Sequence, residues 1–297
     1  MSQNSQNSNL EIIKKHQLKF GIRFLVWFLM FIFTFIAPLI LSIKFLPISS
    51  FLLGLVIAHG IELQHQAIHY TGFSLKILNE FAGQLLGFPT LNSFTHYQTL
   101  HNWHHQKIGT KDDIEFFQDH RIDITLTPLN LMARIFRVQD TLELIFERLF
   151  LKIKLPKNIL NLHSDKMIKI QKELIFYRII YLIFFLLTLT HKITVILFFN
   201  WVLALLFYHI CHFLFEFPEH YLCPTDKKSI YQNTRSITGN SISRYITNFN
   251  NFHVEHHLFP KLPMDYLVQV HKEISSKIEN KNNSYFDFYV QFLWRYL

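Results

Sequence analysis

Histidine is the residue to follow in this chain, because it falls into three tight clusters: His65-Gln66-Ala67-Ile68-His69, His101-Asn102-Trp103-His104-His105 and His253-Val254-Glu255-His256-His257. Each repeats the imidazole at i and i+4, and the last two add one at i+3. On a helix, those offsets place the side chains of a cluster on one face. Neutral imidazole is the commonest protein ligand for transition metals, and eight of them exceed what one ion needs. The clusters therefore predict two metal ions held side by side. Chance is a poor alternative: with 18 histidines in 297 residues, a given position starts an HxxHH pattern with a probability of roughly two in ten thousand.

A fourth group of donors closes the last long apolar run. His209, His212, Glu216 and His220 stand at i, i+3, i+7 and i+11 and share a helix face. Ionisable residues at the end of such a run point to a bundle interior or a site. His220 is the expected ninth ligand; Glu216, binding directly or through water, and His212 are additional candidates. Glu62, Asp112, Asp113, Glu115 and Glu255 lie beside the clusters, where carboxylates orient imidazoles and fix their tautomers. His59, His96, His120, His163, His191 and His271 lack partners at ligand spacing and are expected at the surface or the interface, and His16 belongs to a basic tail. Zinc is satisfied by three or four ligands, and magnesium and calcium prefer oxygen. A pair of histidine-dominated sites suits iron best, ahead of copper or manganese.

The elements that must carry these donors are apolar. Half of the residues are hydrophobic and 32 are Phe, gathered into long runs. Ile22–Ile43 holds no charge after Arg23, and its length of about 33 Å at 1.5 Å per residue is enough to cross a bilayer core. Pro38 should kink this segment without ending it. Lys44 to Pro47 turn the chain back, and residues 48–68 run into the first cluster. A second hairpin follows, residues 172–190 out and 193–216 back around His191-Lys192. The expected fold is an all-α integral membrane protein with four transmembrane helices in two hairpins and a cytoplasmic helical cap carrying the histidine clusters. It is read as a single domain over 1–297, opening with a disordered or basic tail over 1–17. Leu75–Phe94 is too interrupted to span and is expected to lie in the interface, and Ile122–Ile153 is expected as an amphipathic helix under the headgroups.

Net charge is +8, with 29 Lys and Arg against 21 Asp and Glu. Without basic runs interleaved with aromatics, this balance fits an anionic membrane surface and argues against nucleic acid. Basic residues flank the first span and fill the long middle segment, whereas Lys44 and Lys192 are nearly alone in the short turns. The positive-inside rule then puts both termini, the middle segment and all three clusters on the cytoplasmic side. Cys211 and Cys223 have no CxxC neighbour, which excludes a zinc ribbon or a thioredoxin site and suits free thiols in a reducing compartment.

The clusters, in the order HxxxH, HxxHH and HxxHH, resemble the signature of the integral-membrane fatty acid desaturase superfamily. Gly109-Thr110-Lys111-Asp112-Asp113 resembles the stretch that follows the family's second box, and Asn251-Phe252-His253-Val254-Glu255-His256-His257-Leu258-Phe259-Pro260 resembles its third. Glu219-His220 is similar to the family's extra ligand histidine near the fourth span. The resemblance covers roughly 18–267. Gln66 departs from it, since many relatives carry an acid there. What the resemblance implies is a non-haem centre of two Fe2+ ions, using O2 and electrons from an external ferredoxin or cytochrome. Its substrate is an acyl-lipid, acyl-CoA or acyl-ACP chain, and its product carries a new double bond. The alternatives are a fatty acid or carotenoid hydroxylase or ketolase of the same superfamily and, in a different class, a non-enzymatic membrane metal-binding protein.

Overall fold

A computed structural model of the chain describes residues 3–110, 112–114, 138–153, 155–224 and 229–294. Its long helices are α1 (Gln3–Leu41), α2 (Leu46–Ile68), α3 (Lys76–Gly87), α4 (Phe94–Lys107), α5 (Val138–Phe150), α6 (Lys157–Thr188) and α7 (Lys192–His220). Short helices follow: α8 (Ile230–Asn233), α9 (Ser241–Ile246), α10 (His253–Leu258), α11 (Leu267–Ile274) and α12 (Tyr285–Trp294). The amphipathic helix expected over 122–153 is helical over Val138–Phe150, as α5, and ends before 151–153; Lys111, Glu115, His120 and residues 122–137 lie outside the described residues.

The helix α1 begins at Gln3, and its segment long and apolar enough to cross a membrane begins at Lys14. One expectation needs correction. The all-α expectation missed a small parallel sheet, in which β1 (Arg235–Ile237) pairs with β2 (Asn280–Asn282), Arg235 opposite Asn280 and Ile237 opposite Asn282. Three-residue strands are too short to show a period of two in sequence.

Among the described residues, three segments are long and apolar enough to cross a membrane: Lys14–Leu41, Ile43–Ile68 and Lys192–His220. The helix α6 holds the expected third span but is not among them, because its last eighteen residues, 171–188, still carry Lys172, Glu173 and Arg178. Its surface nonetheless shows Phe176, Leu182, Ile183 and Leu186 more than half exposed, as α1 shows Leu25 and Leu29. Exposed apolar area on this scale in a folded protein marks contact with lipid or with another protein.

The core runs between α2, α4, α6 and α7. Pro38 organises part of it. A proline has no N–H, so the Thr34 carbonyl one turn back loses its helical donor. Ser49 Oγ of α2 and Asn200 Nδ2 of α7 donate to it instead, at 2.8 and 3.0 Å, and Ser50 Oγ donates to Asn200 Oδ1 at 2.8 Å. Buried Ser49, Ser50 and Asn200 leave water little access to this carbonyl, so the knot holds α1, α2 and α7 together. One turn on, Gly54 lets α2 and α7 touch: a Cβ there would meet the Ala204 carbonyl at 2.7 Å and the Tyr208 nitrogen at 2.8 Å. The pairings of residue 50 with 200 and 54 with 204–208 increase together, so α2 and α7 run parallel. Both end at the histidines.

Candidate metal centre

The helix α2 delivers His65 in its last turn and His69 just beyond it, α4 delivers His101, His104 and His105, α7 ends on His220, and α10 carries His253, His256 and His257. These nine imidazoles form two groups, His65, His69, His101, His105 and His256 in one and His104, His220, His253 and His257 in the other, with one ring nitrogen of each member within 4.8 Å of the others. Eight of the nine are almost fully buried, and His105 is partly so.

The grouping refines the expectation that each cluster faces one way. Within α4, His101 and His105 stay together while His104 turns to the second group; within α10, His253 and His257 stay together while His256 turns to the first. At 3.6 residues per turn, positions i+3 and i+4 point about 100° apart. HxxHH is therefore a spacing that serves two adjacent sites from one helix, whereas HxxxH serves one.

Nε2 atoms face one another inside each group. His65 and His101 approach to 2.7 Å, His101 and His105 to 2.9 Å, and His105 and His256 to 3.0 Å. In the second group His253 lies 3.0 Å from His257 and 3.1 Å from His220, and His104 lies 3.2 Å from His257. Among the described residues, buried His69 Nε2 has no hydrogen-bond partner. Burial first, and neighbouring imidazoles second, hold His69, His101, His105, His253, His256 and His257 well below the usual histidine range, so these rings are neutral with lone pairs to offer. Converging neutral nitrogens fit transition-metal ions, one for each group.

The opposite ring nitrogens are tied down. His104 Nδ1 meets Asp113 Oδ1 at 2.9 Å, His253 Nδ1 meets Asn250 Oδ1 at 3.1 Å, and His220 Nδ1 donates to the Asn233 carbonyl at 3.2 Å. Such contacts fix the tautomer and aim Nε2 at the site. Asn250 Nδ2 in turn donates to Glu219 Oε1 at 2.8 Å, while Glu219 Oε2 stands 3.2 Å from His253 Nε2. Arg235 donates to the carbonyls of Pro218 (2.5 Å) and Tyr221 (2.8 Å), placing a cation on the C-terminal end of α7 where His220 sits.

In comparison with known protein families, residues 41–289 match the family described as fatty acid desaturase. The chain belongs to that family. No curated protein sequence matches it.

In this desaturase-family chain the other candidate site residues divide. Asp113 is buried against His104, but Asp112 is exposed, and its backbone carbonyl accepts from Trp103 Nε1 at 2.8 Å. Glu255 is buried yet turns away from the imidazole groups, bonding Ser236 Oγ at 2.6 Å and His271 Nδ1 at 2.5 Å. His271 thus has a partner that its sequence spacing did not suggest. Glu62, His212 and Glu216 form a third group of their own. Glu219, Asn233, Arg235 and Asn250 escaped sequence reasoning. Glu219 had one available signal, its position directly before His220; the other three are ordinary polar residues of irregular segments, with no spacing rule to mark them.

Proposed function

We propose that this protein is a membrane fatty acid desaturase, in which His65, His69, His101, His105 and His256 hold one iron ion and His104, His220, His253 and His257 hold a second. The observation that carries the reading is the convergence of nine imidazoles, eight of them buried, in two adjacent groups at the shared end of parallel helices α2 and α7. Iron bound there supplies O2 activation with electrons from an external ferredoxin or cytochrome, sufficient to attack an unactivated C–H bond of an acyl chain. The residues of the chain prepare the site for this. Asp113, Asn250 and the Asn233 carbonyl orient three of the ligands, and burial of the imidazoles keeps bulk water away from them.

The membrane arrangement belongs to the same proposal. Because α2 and α7 run parallel and end together, the chain must return across the bilayer between them. Antiparallel α6, packed on α7 through the tilted rings of Tyr181 and Trp201, whose centroids lie 4.8 Å apart, is the helix that does so. Four crossings then place the metal groups and both termini at the cytoplasmic face, where electrons and O2 meet a substrate arriving from the lipid.

Gas chromatography with mass spectrometry of lipids from cells with and without the gene tests the function. New double bonds in acyl chains support it. New hydroxyl or keto groups would make the protein a hydroxylase or ketolase on the same centre, and iron that consumes no O2 when reductant and lipid are supplied would make it a metal-binding protein.

A further inference from the structure

On the membrane side of the two imidazole groups, α2 and α7 bring a third set of donors together. Glu62, His212 and Glu216 each offer one ligand atom within 4.8 Å of the others, and His212 Nε2 lies 2.9 Å from Glu216 Oε1. Glu62 precedes His65 by three residues and Glu216 precedes His220 by four, so the set lies about 4–6 Å back along the helix axes from the imidazoles. Glu62 is 2 % exposed, and among the described residues its Oε2 has no hydrogen-bond partner. Among the described residues, no lysine or arginine forms an ion pair with either Glu62 or Glu216. Two carboxylates this close in a medium of low dielectric repel strongly, and a cation between them removes that repulsion. The imidazole of His212 adds a nitrogen to the two carboxylate donors.

We propose that Glu62, His212 and Glu216 bind a third metal ion, separate from the two imidazole groups and chemically unlike them. Two carboxylates and one imidazole suit Mn2+, Fe2+ or Zn2+, with remaining coordination positions for water or a polar group of a ligand. Such an ion bridges α2 and α7 one turn before each reaches the imidazole groups, and so fixes the axial register of the two helices that carry His65 and His220.

The test is an ion count on full-length protein purified in detergent and loaded with Fe2+ without oxygen, followed by titration with Mn2+ read by electron paramagnetic resonance. The wild type is expected to hold three ions and Glu62→Gln/Glu216→Gln two. Glu216→Gln alone, at a partly exposed position that perturbs the buried carboxylate least, should weaken Mn2+ binding by roughly tenfold or more. His104→Ala should deplete the imidazole-held pair and leave the Mn2+ site intact, which separates failure of this inference from failure of the proposed function. Two ions in the wild type, three in the double variant, or loss of every ion in Glu216→Gln would each overturn the assignment.

Discussion

His104 shows how much a single ring does here. Its Nδ1 is held by Asp113 at 2.9 Å, and its Nε2 faces His257 at 3.2 Å in the group opposite that of its neighbours on α4. Removing it takes away one of four donors on that side. His104→Ala and His256→Ala are therefore expected to abolish product, scored by gas chromatography, with the protein still found in the membrane fraction; wild-type turnover in either would refute the ligand assignment. His163→Ala serves as the control, since His163 lies at the kink in α6, outside all three donor groups, and should leave turnover near normal. The buried rings also set a pH dependence. In the fold their pKa values fall below the ordinary 6.5, whereas the unfolded chain takes up protons near 6.5. Stability of the metal-free protein is thus fully present above that pH and declines as pH drops below it. Chelator-stripped protein should melt at a lower temperature at pH 5.5 than at 7.5; an equal or higher melting point at 5.5 would contradict this. The ligand types were legible from sequence because imidazole spacing is a local property of one helix. Of their partners only Asp113, close behind the second cluster, was legible; Asn233, Asn250 and Arg235 reach the site through the path of the loops between α7 and α10.

Elements were legible in proportion to their hydrophobicity. The helices α2 and α7 appear close to the expected bounds because long apolar runs satisfy their backbone within a helix, and α1 ends close to its own but starts nineteen residues earlier, at Gln3. The helix α6 begins fifteen residues before the span expected at 172, since its first half is polar and gains its helical form from packing. What sequence could not give is how the spans lock together, and Pro38 supplies a test. If Asn200 serves chiefly to satisfy the carbonyl that Pro38 orphans, Asn200→Leu should destabilise the wild type by about 1–3 kcal/mol. In a Pro38→Ala background, where an N–H returns to the helix, the same change should cost clearly less. Thermal unfolding of the four proteins in detergent measures the coupling, and equal costs in both backgrounds would show that the knot does not depend on the proline.

At the scale of the molecule, the decisive question is which helices cross. Hydropathy alone selects three, and three crossings would leave the start of α7 on the side where α2 ends, sending His220 to the far face from His65. The parallel packing of α2 on α7 does not fit that separation, so the membrane arrangement proposed above has α6 cross in spite of its charges. Those charges have partners that make it feasible. Glu173 accepts from the Thr95 backbone nitrogen at 3.0 Å and from Thr95 Oγ1 at 2.5 Å, and Arg178 Nε donates to the Arg148 carbonyl at 2.8 Å. All lie in the part of α6 nearer the metal groups, where long side chains reach the interface. Single cysteines introduced into a protein lacking Cys211 and Cys223 report the outcome. Lys44→Cys and Lys192→Cys, both at exposed turns, should react with a membrane-impermeant maleimide on intact cells, whereas exposed Lys277→Cys should react only after the cells are opened. Labelling of positions 44 and 192 from opposite sides would remove α6 from the membrane, and with it the common face on which the nine imidazoles depend.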